Sequence, residues 1–131
     1  MKNKLASFVI LSIVVILSAC EKKPFDYRNK YIGKWDFVVE RRAFSMDTND
    51  THYWDTISYQ GKIDYANGEN NLLVQYTADD TITIEVDKDG NIVKPCWYCN
   101  ATFIDNKNLD MYLRWGGHGA GLIHEVKGKK K

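Results

Sequence analysis

The chain has 131 residues, 44% of them hydrophobic and 13% aromatic, with 18 basic against 17 acidic side chains and a formal net charge of +1. Such a balance lacks the basic excess by which a small domain holds nucleic acid. Eight Tyr and four Trp against two Pro speak against disorder, and the length suits one domain with one core.

The first element is MKNKLASFVILSIVVILSAC. Lys2 and Lys4 form a basic start, Leu5 to Ala19 an apolar run broken only by Ala and Ser. At about 1.5 Å per residue the run is short for a hydrocarbon core of about 30 Å, and the order basic, apolar, small is that of a secretory signal peptide. Leu17-Ser18-Ala19-Cys20 resembles the lipobox of bacterial lipoproteins. That resemblance implies cleavage before Cys20, lipidation of its thiol, and anchoring through acyl chains in the cell envelope, with the outer membrane as the expected site. An uncleaved anchor, or an ordinary signal with a chance cysteine, is the alternative. The expected organisation is a signal peptide over 1–19, lipidated Cys20 with a polar tether over 20–30, and a folded domain over 31–131. Removing Lys2 and Lys4 from the 18 basic side chains leaves 16 against 17 acidic ones.

Beyond the tether the hydrophobic pattern has period two, the signature of half-buried strands. Trp35, Phe37 and Val39 alternate with polar neighbours. Tyr53, Ile57, Tyr59, Ile63 and Tyr65 share one parity, with Trp54 and Asp55 breaking the rule near the strand's start. Leu72, Val74 and Tyr76 follow, then Ile82, Ile84 and Val86, and later Leu109, Met111, Leu113 and Trp115. Turn signals rich in Asn, Asp and Gly separate these runs. Strands are expected at 34–44, 52–66, 71–77, 81–87, 91–95, 99–105, 108–115 and 119–127. Eight such strands form an all-β antiparallel up-and-down meander that closes into a small barrel; an open sandwich is the alternative. Gly128 to Lys131 is expected as a solvated tail, with attraction to anionic lipid as the other reading.

Gly33-Lys34-Trp35, after the aromatic lead-in from Tyr27 to Ile32, resembles the Gly-x-Trp motif of lipocalins. With the lipobox and the glycine-rich stretch from Gly116 to Gly121, the chain is similar to small lipocalin-like lipoproteins of Bacteroidetes. The resemblance implies that Gly33 and Trp35 mark the closed end of an eight-stranded barrel, beneath a ligand cavity. It also implies a basic partner for the Trp, a role that falls to Arg114. No C-terminal helix follows the last strand, where lipocalins usually carry one. The inward parity nominates Tyr53, Tyr59, Tyr65, Tyr76, Phe103, Met111 and Trp115 as residues lining a site for a small apolar or aromatic ligand. The competing reading is that these side chains fill the barrel.

No catalytic motif is present, neither a Gly-x-Ser-x-Gly elbow nor a His-Glu-x-x-His helix nor a phosphate loop, so neither an enzyme nor a cofactor is expected. Asp87-x-Asp89-Gly90 lacks the spacing of a calcium loop and reads as a turn. Cys96-Trp97-Tyr98-Cys99 admits a redox pair, half a zinc site or a structural disulfide. The strand-like residues that follow do not supply the helix a redox pair needs, and no paired histidines complete a zinc site. A disulfide suits an extracytoplasmic address. It requires residues 96–99 to turn, because three strand steps span about 10 Å and a disulfide tolerates about 7 Å between Cα atoms. The expectation is a clipped hairpin turn between the fifth and sixth strands. A protein partner, should one exist, would meet exposed aromatics such as Trp54, Trp97 and Tyr98.

Overall fold

A computed structural model describes residues 22–45, 50–93 and 95–131, except for the side chains at 50, 51 and 53. Its strands are β1 (Gly33–Ser45), β2 (Asp50–Tyr65), β3 (Asn71–Gln75), β4 (Thr81–Val86), β5 (Ile92–Val93), β6 (Asn100–Asp105), β7 (Asn108–Gly116) and β8 (Ala120–Lys130). They form one antiparallel sheet in the order β5-β4-β3-β2-β1-β8-β7-β6, curled into a nearly closed barrel. The expected meander barrel is therefore the fold. β1 pairs with β2 on one side and with β8 on the other. The one pair of consecutive strands without a ladder is β5 and β6, so the sheet's two edges face each other there.

Alternation builds the interior. Trp35, Phe37 and Val39 of β1 are buried with Leu72 and Val74 of β3, Ile84 and Val86 of β4, Leu109, Met111 and Leu113 of β7, and Val126 of β8. The two irregular residues near the start of β2 have a structural reason. Arg41 pairs with Asp55 and Arg42 with Tyr53, so Trp54 is the extra residue of a bulge.

One end of the barrel is plugged. Asp26 caps a short 3-10 helix, Tyr27–Lys30, by accepting from the Arg28 N–H. The Arg28 side chain is buried; it pairs with Asp26 at 2.7 Å and donates to the carbonyls of Gly68 and Asn71. That partner holds the Asp26 carboxyl below its usual range. The segment expected as tether thus belongs to the fold from its second half onward. Gly33 follows at φ +133°, where a Cβ is strained, and delivers Trp35 into the plug at 0% exposure. The Trp35 indole N–H donates to the Tyr31 carbonyl at 2.8 Å, and Phe103 stacks on Tyr31 at 3.8 Å between centroids.

Two expectations change. The fifth strand shrinks to two residues, as suits a chain that must turn at Pro95. The last strand runs to Lys130, so the basic tail is a ladder partner of β1 through Trp35 and Lys130. Gly128 permits this: a Cβ there would stand 2.6 Å from the Phe37 ring.

Because Trp35 joins the plug to the core, Trp35→Ala is expected to destabilise the domain by about 3–5 kcal/mol in denaturant unfolding. A loss below about 1 kcal/mol would show that the plug holds without it.

Candidate functional site

β1 starts at the plugged end, so the β3–β4, β5–β6 and β7–β8 connections lie at the opposite end, the mouth. There the inward parity stops being aliphatic. Arg41 continues the Trp35-Phe37-Val39 row, and its guanidinium pairs with the Asp55 carboxylate on β2, Nε to Oδ1 at 2.6 Å and Nη2 to Oδ2. The same guanidinium sits 5.8 Å from the Trp54 ring. His124 stands opposite Arg41 on β8 and is buried. The hydroxyl of Tyr76, just past β3, lies 3.2 Å from its Nδ1. Trp115 of β7 meets the same imidazole edge-on at 4.8 Å and remains 39% exposed. Beside them the β3–β4 turn is fixed by Thr77, whose hydroxyl donates to the Asp80 carboxylate and accepts from the Asp80 N–H.

Burial pushes the Tyr76 phenol above its ordinary range, aided by the Asp80 charge. The protonated phenol and the imidazole share one hydrogen bond through Nδ1, with the donor set by the tautomer of His124. Burial pushes the His124 pKa down from 6.5; Asp80 and Asp55 oppose the shift, and Arg41 reinforces it. The mouth is a polar and aromatic layer laid over a core of aliphatic side chains.

The nominated residues divide between the two ends. Tyr76 and Trp115 meet at the mouth through His124. Met111 is in the buried middle, and Tyr59 lies half-buried opposite Phe37. Tyr65 and Phe103 belong to the plug: the Tyr65 hydroxyl bonds to Asn29 and accepts from the Lys23 N–H, while Phe103 packs on Tyr31 and Trp35. The Tyr53 side chain is outside the described residues. Gly33 and Trp35 occupy the closed end. Arg114 does not approach Trp35; it lies on the outer face between the rings of Phe44 and Tyr98, at 4.1 and 5.2 Å. The basic residue opposite Trp35 is Lys130, whose Nζ donates to the Lys30 carbonyl at 2.6 Å.

Cys96 and Cys99 form the disulfide, with Cα atoms 4.8 Å apart. The Cys99 N–H donates to the Cys96 carbonyl, closing the turn. The turn is a corner rather than a hairpin, since β5 and β6 do not pair. Both sulfurs rest near the Arg114 carbonyl. Trp97 is left 81% exposed at the rim. A cleft of about 380 Å³ separates this corner from the glycine-rich turn, lined by Tyr98, Arg114, Gly116, Gly117 and His118. Another, of about 340 Å³, runs over the outer face of β6, β7 and β8. Among the described residues no cluster of His, Cys, Asp and Glu is arranged to hold a metal ion. The Asp87 carboxylate is engaged by the N–H groups of Asp89 and Asn91, as a turn requires.

Sequence reasoning missed Arg41, Asp55 and His124. Their signal was present: each is a polar residue on an apolar parity, which in a filled barrel marks the level where the core ends. No known protein family, curated protein or solved structure matches this chain.

Two outcomes follow from this geometry. A depressed His124 pKa means that the unfolded chain binds the proton first, so the stability tied to neutral His124 is complete above pH 6.5 and lost as the pH falls through the lower native value. Denaturant midpoints measured from pH 7 to 5 should fall for the native chain and flatten for His124→Asn; parallel slopes would refute the assignment. Replacing both Cys96 and Cys99 with Ser should cost no more than about 2 kcal/mol, because the closed loop is so short. A larger loss in thermal or denaturant unfolding would mean that the corner holds the barrel together.

Proposed function

We propose that this chain is a membrane-anchored cell-envelope lipoprotein whose lipocalin-like domain binds a small apolar or aromatic ligand at the mouth of the barrel. The observation that carries the reading is the meeting of Trp115, His124 and Tyr76 on the inward face at the unplugged end. A partly exposed indole beside a neutral imidazole offers a planar apolar surface with a hydrogen-bonding group at its margin, the usual make-up of a small-molecule site. The aliphatic core below limits the ligand to the upper layer. The reading also draws on the signal-like N-terminus ending in Leu17-Ser18-Ala19-Cys20 and on the eight-stranded barrel. It invokes no cofactor, metal or catalytic group.

A second reading is favoured by Trp97 and Tyr98. Exposed aromatics held on a disulfide corner suit the docking of a protein partner at the rim. In that case the mouth cluster is structural.

Native mass spectrometry of the protein purified from its own host tests both parts. The expected result is a Cys20-linked acyl mass, absent from Cys20→Ser, together with a retained small molecule lost from Trp115→Ala but kept by Trp97→Ala. Retention unaffected by Trp115→Ala, or no retained molecule at all, would overturn the mouth as a ligand site. An unmodified Cys20 would overturn the lipoprotein part alone.

A further inference from the structure

The plugged end gathers positive charge. Three bonds to backbone carbonyls draw it together: the Lys130 N–H donates to the Lys107 carbonyl at 2.8 Å, the Lys131 N–H to the Lys34 carbonyl at 3.1 Å, and the Lys130 ammonium to the Lys30 carbonyl at 2.6 Å. Lys22 comes near the same place, for its charge and that of Lys107 add to burial in lowering the Lys130 pKa. Carboxylates offset only part of this. Asp36 pairs with Lys131 at 3.4 Å, Asp64 with Lys62 at 3.2 Å, Asp26 is taken by Arg28, and Asp105 bonds to the Lys107 N–H and to Asn108. Glu69, Asp87 and Asp89 stand on the β2–β3 and β4–β5 turns of this end, away from the β1–β8 and β6–β7 side where the lysines gather. Among the described residues Lys22, Lys34, Lys107 and Lys129 have no ion-pair partner. The chain as a whole is almost neutral, so this charge reflects placement and not composition.

A second feature lies at the same end. Phe25 is fully exposed, with φ at +60°, a backbone conformation uncommon for a bulky residue. Its turn is pinned by the Asp26 N–H to the Lys23 carbonyl and by the Lys23 N–H to the Tyr65 hydroxyl. The fold therefore presents an aromatic ring to the outside beside a lysine cluster. Phe25 also lies close in sequence to the apolar run that ends at Ala19.

We infer that the plugged end of the barrel rests on an anionic phospholipid surface, its lysines on headgroup phosphates and Phe25 in the interface. A bilayer is favoured over other polyanions because the chain reaches this end from its membrane-directed segment. Cys20 and Lys22 are two residue steps apart, with only Glu21 between them, a reach of at most about 7 Å. Basic residues beside an anchor gain from the negative surface potential of anionic lipids, and an aromatic ring adds burial at the headgroup level. The orientation follows: the mouth, with Trp97 and Trp115, points away from the bilayer that holds the protein. This inference extends the anchored reading by fixing which end faces the membrane.

The test uses the chain from Glu21 onward, since every strand pairing and core contact described above lies within residues 22–131. Cosedimentation is measured with vesicles of phosphatidylcholine alone and of phosphatidylcholine with phosphatidylglycerol. Binding is expected only to the anionic vesicles, weakening several-fold as salt rises above about 0.1 M. It should fall at least tenfold in the triple variant Lys107→Gln, Lys129→Gln, Lys131→Gln and several-fold in Phe25→Ser, with unchanged circular dichroism in both. Trp97→Ala at the mouth should bind as the native chain does. Equal binding to neutral vesicles, insensitivity to the triple substitution, a loss in Trp97→Ala, or displacement by millimolar inorganic phosphate or by duplex DNA would each overturn the inference. The chain tested lacks Cys20, so its result is independent of whether that residue is acylated.

Discussion

The ladder between β1 and β8 is the constraint on which the rest depends. Eleven residue pairs, from Trp35 with Lys130 to Ser45 with Ala120, join the first strand to the last. An up-and-down meander with its termini paired has only one place left to be open, and here that place is between β5 and β6. Edge strands expose unpaired backbone groups and invite association. The chain answers with a fifth strand of two residues, a proline, and a disulfide corner that carries it across the seam. The Cys96–Cys99 pair makes sense as part of that closure: it shapes a turn where a hairpin ladder is missing.

The same ladder gives the barrel two unlike ends. Where β1 begins, the 3-10 helix, Arg28 and Trp35 form a plug in which the polar groups are bonded: the Arg28 guanidinium to Asp26 and two carbonyls, the Trp35 indole to Tyr31. Buried polar groups are costly unless so satisfied. Where β1 ends, Arg41, Asp55, Tyr76 and His124 take over the inward positions, and among the described residues no helix covers them. Apolar packing therefore lies below and a polar, partly open layer above. The lysines lie at the plugged end, away from that layer.

Much of this architecture was legible in the residues. The alternation of Trp35-Phe37-Val39 and of Leu109-Met111-Leu113 identified inward faces because side chains in a strand alternate with period two, whatever the partners are. Gly33 was nominated only through its resemblance to a Gly-x-Trp motif, and the structure supplies the backbone reason, a φ of +133°. The disulfide could be argued from spacing and address. The site was less legible. Tyr65, Tyr76, Phe103 and Trp115 share an inward parity, yet two of them belong to the plug and two to the mouth. Parity reports the face of a sheet and carries no information on height along the barrel.

The sequence by itself determined the all-β antiparallel meander of eight strands and most of its inward faces, because these depend on local backbone preference and short-range alternation. Only the tertiary structure decided that Lys130 lies opposite Trp35 while Arg114 lies between Phe44 and Tyr98. It alone decided that His124 meets Tyr76 across 48 positions of sequence, and that lysines from both ends of the chain converge beneath the plug. Those contacts follow from the register of β1 with β8. Register is set by how the whole core packs, since a shift of one residue would turn every inward side chain to the outside.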